Sequence, residues 1–297
     1  MPSLRDIRRR IRGVKSTAQI TKAMELVAAS RMRRAQQRVL AARPYAETMR
    51  TLIGELASGV AGGGGEALHP LLVQREVDTV GVILLTSDRG LAGALNTNTI
   101  RRGSEVILEQ THDVQLITIG RKGQDFMARR GHKLLATFTQ LGDRPEYDAI
   151  IPIARVVMDS YLDGVMDVCY LVYPKFVSTL SQRPEVVKIL PITGGDGDGE
   201  QTEPARRPVD YIFEPDPRSI LAALLPRYVE VQIYQAVLET VASEQSARMV
   251  AMRNANENAQ ELIQDLTLSY NKARQASITR EVLEIAAAAE FMTAANR

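Results

Sequence analysis

Residues 228–273 read YVEVQIYQAVLETVASEQSARMVAMRNANENAQELIQDLTLSYNKA, and this stretch decides the fold of the chain. Apolar or small residues recur in it at alternating steps of three and four, the heptad pattern of a helix that packs against another helix. The pattern runs through Leu221, Leu224, Tyr228, Val231, Gln235, Leu238, Ala242, Gln245, Met249, Met252, Asn256, Ala259, Ile263, Leu266, Tyr270 and Ala273. Residues 227–297 contain no glycine or proline, and a single helix of that length would extend about 105 Å.

The N-terminal segment carries the same pattern. Its apolar or small positions are Leu4, Ile7, Ile11, Val14, Ala18, Ala28, Met32, Ala35, Val39 and Ala42, and Thr21 and Glu25 interrupt them. Ser3, with Asp6 three residues later, is predicted to cap the start of this helix. We expect the two ends of the chain to pair as an antiparallel coiled coil. The C-terminal arm is the longer one, and its apolar end at 278–292 therefore needs a partner outside this chain.

Between the arms the pattern changes to short apolar runs that alternate with helical stretches. Strands are predicted at 77–85, 114–119, 134–138, 166–172 and 186–190, and helices at 92–110, 122–130 and 147–162. Such alternation predicts a mostly parallel sheet covered by helices. The expected fold is therefore α/β with long helices: an antiparallel coiled coil of the two ends with an inserted Rossmann-like α/β domain. The expected segments are an N-terminal helix at 1–58, the α/β domain at 76–213 and a C-terminal helix at 214–297.

Composition excludes several classes of protein. Of the 297 residues, 45% are hydrophobic and 24% are charged, which is typical of a globular chain. The single cysteine, Cys169, excludes an intrachain disulfide and a multi-thiolate metal site, and it indicates a reducing compartment. No apolar run reaches the length of a membrane span, and the arginine-rich start does not resemble a signal peptide.

No stretch of the sequence predicts a catalytic, cofactor-binding or metal site. Residues 87–96 follow a strand and open a helix, but they lack the glycine spacing of a phosphate-binding loop. A tight strand-to-helix turn is the better interpretation. The three histidines lack the spacing of metal ligands, and the acidic loop at 196–199 lacks the later ligands of a calcium loop.

The first 50 residues hold thirteen Lys or Arg against three Asp or Glu, which leaves three interpretations. A nucleic-acid-binding arm would favour interleaved aromatic residues, and Tyr45 is the only one there. A membrane-surface helix would need large apolar residues opposite the charges. A coiled coil with a charged flank, either solvated or facing an acidic partner, fits best. The alternative functions are a nucleic-acid-associated coiled-coil protein and an enzyme that uses the α/β domain.

Several blocks of the sequence, in order along the chain, resemble the gamma subunit family of F-type ATP synthases. They are DIR (6–8), ITKAMELVAAS (20–30), RPY (43–45), DRGL (88–91), EPDP (214–217), SEQSARM (243–249) and YNKARQASIT (270–279). The resemblance extends over nearly the whole chain.

This resemblance implies a central rotor shaft that performs no bond chemistry itself. Rotation of the c-ring, driven by protons, would be coupled through the shaft to ATP synthesis at the catalytic beta subunits, or the reverse. The implied partners are three alpha and three beta subunits, the epsilon subunit and the c-ring, with one copy of this chain per complex. The resemblance implies no cofactor, no nucleic acid and a peripheral position on the cytoplasmic side of a bacterial plasma membrane.

The resemblance also implies roles for eight residues at matching positions. The expected contacts with the beta subunits are Met24, Arg248, Gln275, Thr279 and Glu281. The expected contacts with the c-ring and epsilon are Tyr211, Phe213 and Glu214. Arg248 and Gln275 are polar residues on a helix, and we expect no partner for either within the chain.

Overall fold

The computed structural model describes residues 3–61, 69–192 and 217–295. Its elements in chain order are α1 (Leu4–Ala61), β1 (Thr79–Leu85), α2 (Leu95–Glu109), β2 (Asp113–Ile119), α3 (Arg121–Arg129), β3 (Leu134–Phe138), α4 (Ile151–Leu162), β4 (Val168–Phe176), β5 (Gln182–Leu190) and α5 (Pro217–Ala295). Short 3-10 helices at Pro70–Leu72 and Tyr147–Ala149 precede β1 and α4. The predicted residues Tyr211, Phe213 and Glu214 and the 196–199 loop lie outside the described residues.

The chain divides into two compact units. One consists of Met1–Val27 with Met249–Arg297, and the other of Ala28–Arg248. Each unit contains part of α1 and part of α5, because residues far apart in the sequence pair with each other. The units therefore do not coincide with the three consecutive segments expected from the sequence.

The first unit is an antiparallel helix pair. Nη2 of Arg8 donates to the hydroxyl of Tyr270 at 2.5 Å, and Nε of Arg253 donates to Glu25 at 3.4 Å. Glu25 follows Arg8 in α1 by the same number of residues by which Arg253 precedes Tyr270 in α5. The two helices therefore run antiparallel. The start of α1 has the predicted cap, since the backbone N–H of Asp6 donates to Oγ of Ser3 at 3.2 Å. The antiparallel coiled coil is confirmed.

In the second unit, a five-stranded sheet has the order β3-β2-β1-β4-β5. β1 pairs in parallel with both β2 and β4, β2 pairs in parallel with β3, and β5 is antiparallel to β4. The mostly parallel sheet is thus confirmed. β4 and β5 are longer than predicted, because their paired ends at 173–176 and 182–185 contain proline and charged residues that do not read as a strand.

Apolar side chains cover both faces of this sheet. Val80, Val82 and Leu84 point to one face and pack with α2 and α3, while Ile83 and Leu85 point to the other. The second face packs against α4 and against parts of α1 and α5, including Met49, Ile53, Leu221, Leu225 and Ile233. Alternation along a strand that is buried on both faces explains why β1 reads as a continuous apolar run.

The predicted heptad positions of both long helices are all buried or half-buried. In the part of α5 from 252 to 273, every predicted position is at least half-buried, and nearly all of the others are exposed. In α1, the two polar interruptions also face inward: Thr21 is 8% exposed and Glu25 6%. α1 continues through Pro44 and α5 through Pro226. Tertiary packing sustains both helices beyond the point where a proline would end an isolated one.

Candidate functional site

In the second unit, the SEQSARM block lies on a part of α5 that is buried on all sides. Residues 236–246 and Arg248 are all less than 9% exposed. Seven of them are polar or charged. These seven are Glu239, Thr240, Ser243, Glu244, Gln245, Ser246 and Arg248. Buried polar side chains are stable only where they find hydrogen-bond partners, so each of them must be satisfied locally.

Arg248 has two partners within the chain. Its Nη2 lies 2.6 Å from Oε1 of Glu244 and 3.1 Å from the carbonyl oxygen of Gly90, in the loop after β1. Burial raises the pKa of Glu244, and the charge of Arg248 opposes this shift. The expectation that Arg248 has no intrachain partner is wrong, because both acceptors are supplied by the second unit itself.

The loop after β1 has the predicted tight turn. The backbone N–H of Ser87 donates to Oδ1 of Asn96 at 3.0 Å, which ties the end of β1 to the start of α2. The carboxylate of Asp88 accepts from the backbone N–H groups of Arg121 and Gln140, both at 2.9 Å. Asp88 therefore holds together the loops that follow β1, β2 and β3. The DRGL block has a structural role at this edge of the sheet.

α5 covers the carboxyl edge of the parallel strands, where ligands usually bind in open α/β sheets. Val237, Thr240, Val241 and Glu244 lie against the loops after β1, β2 and β3, and the cavity left between them has a volume of about 40 Å³. Pockets for small-molecule ligands are on the order of 300–1,000 Å³. This crevice has no room for a nucleotide because a helix of the same chain occupies it.

The remaining predicted contacts with beta lie in the first unit and are more accessible. Met24 is half-buried on α1, whereas Gln275, Thr279 and Glu281 are exposed on α5. Oγ1 of Thr279 donates to the carbonyl oxygen of Gln275 at 3.0 Å, and Oγ of Ser277 donates to Glu281 at 3.2 Å. The three α5 residues lie within two turns of one helix. No described contact joins them to Met24.

The C-terminal end of α5 exposes large apolar side chains. Ile278 is 47% exposed, Val282 58%, Leu283 63% and Ile285 70%. At about 100° per residue, Ile278, Val282 and Ile285 lie on one face of the helix and Leu283 lies roughly 140° from Ile278. The described part of the chain provides nothing to cover them. The side chains from 289 onward, including those of Phe291 and Met292, lie outside the description.

Two carboxylates that sequence reasoning did not select have central positions. Glu25 is buried in the helix pair of the first unit, where Lys22 donates to it at 3.0 Å and Arg253 at 3.4 Å. Its place in the heptad pattern was the signal that could have identified it. In the second unit, Asp143 accepts from Arg31 on α1 and from Gln245 on α5. No local pattern marks Asp143, since its partners lie about a hundred residues away on either side.

The described residues contain no group of three or more His, Cys, Asp or Glu side chains placed to hold a metal ion. Cys169 is buried in β4, and burial raises the pKa of its thiol to about 12. Within the described part of the chain, no helix combines the length and the apolar character that a membrane crossing requires.

Known proteins match this chain over nearly its whole length. A sequence model described as ATP synthase matches residues 3–292. The ATP synthase gamma chain of Roseiflexus castenholzii is 53% identical over 292 residues, covering 97% of this chain and 98% of that protein. The ATP synthase gamma chain of Chloroflexus aurantiacus is 48% identical over 297 residues, covering 99% and 100%.

Solved structures with the same fold come from rotary ATP synthases. A chain of the Euglena gracilis mitochondrial ATP synthase, solved as OSCP/F1/c-ring in rotational state 3, matches with a TM-score of 0.69 and 21% identity, covering 99% of this chain and 96% of that one. A chain from the central stalk/c-ring structure of the Tetrahymena thermophila enzyme matches with a TM-score of 0.60 and 23% identity, covering 80% and 99%. At these identities the structures support the fold, while the sequence relatives establish the family. The chain belongs to the family of ATP synthase gamma chains.

Proposed function

We propose that this chain is the central rotor shaft of a proton-translocating ATP synthase. In this role it transmits rotation of the c-ring to the catalytic beta subunits, or the reverse, and it performs no bond chemistry itself. Membership of the gamma chain family supports the role, and so does the α5 segment that fills the ligand crevice of the α/β sheet. The coupling is a conformational linkage between distant sites, carried by a rigid element.

The observation that carries this proposal is the exposed apolar end of α5. Ile278, Val282, Leu283 and Ile285 are all about half exposed or more, and together they occupy an arc of roughly 160° of one helix. Monomeric proteins rarely leave a contiguous apolar surface of this kind uncovered, so a partner is required to bury it. A ring of alpha and beta subunits around the helix provides that burial without fixing a single orientation, as a bearing does.

Five residues are proposed to contact beta. Gln275, Thr279 and Glu281 present exposed polar groups within two turns of α5, and Met24 presents a thioether on α1. Arg248 is the special case because its Nη2 is committed to Glu244 and Gly90. Its contact with beta would use the other nitrogens of the guanidinium group, which has five N–H donors.

The proposed partners are three alpha and three beta subunits around the helices, with one copy of this chain per complex. Epsilon and the c-ring are proposed to bind near Tyr211, Phe213 and Glu214. The complex would hold the chain peripherally on the cytoplasmic side of a bacterial plasma membrane. Neither a cofactor nor a nucleic acid belongs to this proposal.

Reconstitution tests the proposed function. Native mass spectrometry of the purified complex should give one copy of the chain with three alpha and three beta subunits. Membrane vesicles carrying the complex should pump protons on addition of ATP, and vesicles lacking only this chain should not. A complex that pumps equally well without the chain would contradict the proposal.

A further inference from the structure

The buried segment of α5 at 239–248 is bonded to the rest of the second unit by directional contacts, which is unusual for the centre of a helix. On one side, Oγ of Ser243 donates to the carbonyl oxygen of Pro174 at 2.9 Å, and Oγ of Ser246 donates to that of Thr179 at 2.6 Å. The backbone N–H of Phe176 donates to Oε2 of Glu239 at 3.3 Å. These three bonds tie α5 to the end of β4 and the turn that follows it.

Other bonds leave the same segment in two further directions. Arg248 reaches the carbonyl oxygen of Gly90 in the loop after β1. Nε2 of Gln245 donates to Oδ1 of Asp143, in the loop after β3, at 3.1 Å. At about 100° per residue, Arg248 and Gln245 lie about 60° apart around the helix axis, and they lie roughly 170° and 130° from the first group of bonds. The segment is therefore held from opposite sides.

Asp143 extends this set of bonds to the other long helix. Its Oδ1 accepts from Gln245 of α5, and its Oδ2 accepts from Nη1 of Arg31 of α1. One carboxylate of the α/β domain thus binds both helices. The side chains of Arg31 and Asp143 are 36% and 32% exposed, so this link can be altered at the surface without opening the apolar core.

The hydrophobic effect has no preferred direction, so hydrogen bonds add a directional resistance to rotation of a helix. Hydrogen bonds weaken steeply as their angle departs from linearity. A turn of α5 about its own axis would misalign the bonds on both sides together, and buried groups that lose a partner do not regain one from water.

We propose that the bonded segment 239–248, together with Asp143 and Arg31, is a torsional joint that fixes both long helices to the α/β domain. It is the point at which torque passes between that domain and the helices. This proposal rests on the proposed function, since torque is transmitted only if the chain is a rotor shaft. It gives Asp143 a positioning role and gives much of the SEQSARM block a role within the chain.

The test compares Asp143→Ala with the matched control Asp163→Ala, an exposed aspartate of the same domain with no bond to either helix. Hydrogen exchange on the full chain should accelerate about tenfold in Asp143→Ala for amides near Arg31 and near Gln245, as expected when bonds to a charged group are lost. Asp143→Asn keeps an acceptor for Gln245 but loses the charge that binds Arg31. It should accelerate exchange near Arg31 alone.

In complexes reconstituted into vesicles, Asp143→Ala should lose ATP-driven proton pumping while ATP hydrolysis continues, and Asp163→Ala should retain both. Unchanged exchange in both Asp143 variants would overturn the joint. Faster exchange with unchanged pumping would overturn its role in torque. If a complex that lacks this chain pumps as well as the complete wild-type complex, the proposed function itself fails, whatever the exchange data show.

Discussion

Arg253 on α5 lies over the buried carboxylate of Glu25 on α1, with its Nε 3.4 Å from Oε1. Lys22, one turn before Glu25, donates to the other oxygen at 3.0 Å. A charged group therefore occupies a heptad position that would otherwise be apolar. Polar residues at such positions commonly fix the register of paired helices at a cost in stability.

Replacement of Glu25 should change the stability of the chain in a way that depends on the new side chain. Glu25→Ala should lower the free energy of unfolding by about 1–2 kcal/mol, because bonds to a charged group are lost. Glu25→Leu should be neutral or stabilising, because an apolar side chain at a buried ion-pair position often is. Urea unfolding of the full chain at neutral pH measures both. The exposed control Glu257→Ala should stay within about 0.5 kcal/mol of the wild type, and an equal loss in that control would remove the special role of Glu25.

The contribution of Glu25 should also depend on pH. The hydrogen bond from Lys22 lowers its pKa below the ordinary value of 4.5, burial opposes this shift, and the charges of Lys22 and Arg253 add to it. A carboxylate with a lowered pKa in the folded state stabilises the protein above its unfolded pKa, and this stabilisation is lost as the pH falls. The difference between wild type and Glu25→Gln should be constant near neutral pH and shrink below about pH 4.5. A difference that grows in acid would contradict this account.

Arg248→Ala should destabilise the chain itself, because it leaves Glu244 buried without its cation. We expect a loss of about 3–5 kcal/mol, and a smaller loss in Arg248→Ala combined with Glu244→Gln, which removes the unpaired charge. Burial already raises the pKa of Glu244, and loss of Arg248 should raise it further. The stability of Arg248→Ala should therefore fall as the pH rises above about 4.5, and the double variant should lack this dependence. Urea unfolding at pH 5 and pH 8 measures this dependence. If Arg248→Ala loses the same free energy of unfolding at both pH values, the Arg248–Glu244 pair does not have the proposed role.

Gln275→Ala should impair coupling without affecting folding. Gln275 is exposed on α5, and exposed substitutions usually change stability by less than about 0.5 kcal/mol. If it binds beta, ATP-driven proton pumping by the reconstituted complex should fall. Gln264→Ala, an exposed glutamine on the same helix, provides the control. Equal pumping by both variants would remove Gln275 from the proposed contact surface.

The sequence predicts the long helices and most of the sheet because their patterns are local. Heptad spacing identifies Ile7, Val39 and Ala259 as buried, and the structure confirms all three. The position of α5 over the carboxyl edge of the sheet is not visible in any local pattern. It brings Arg248 to Gly90, 158 residues away, and no spacing rule connects residues at that distance.

The same limit explains why the candidate site was only partly identified. Resemblance to a family marks positions, but it does not reveal which side chains are satisfied within the chain. Arg248 and Gln275 look alike in the sequence as polar residues on one helix, yet one is buried with two partners and the other is exposed. Tertiary burial, which depends on distant segments, makes the difference.

The apolar end of α5 should be sensitive to protease in the isolated chain and protected in the complex. Arg280 is exposed beside Ile278 and Val282, so trypsin should cleave after it readily when the chain is alone. Subunits around the helix would block that cleavage. Arg101 on α2, whose side chain is 70% exposed, serves as the internal reference. If the ratio of cleavage at the two sites is the same in both states, the bearing proposed for 278–288 is not supported.

Coupling should depend on the stiffness of the helix pair more than on the identity of its packed residues. Ile263 and Leu266 are half-buried in the first unit, and Ile263→Leu or Leu266→Met should cost less than about 1.5 kcal/mol because the volume is conserved. Ala259→Gly with Ala273→Gly adds backbone freedom at a cost of about 1 kcal/mol per site. Neither set of changes removes a proposed contact with beta.

These two sets of variants differ in bending and twisting freedom. If torque passes along the packed helices, the glycine pair should lower the ratio of ATP-driven proton pumping to ATP hydrolysis in reconstituted membranes, since part of each rotation is absorbed as twist. The volume-conserving variants should keep the wild-type ratio. The same ratio in both sets, with assembly confirmed by mass spectrometry, would mean that the helix pair is stiffer than coupling requires. The mechanical role of its packing would then be wrong.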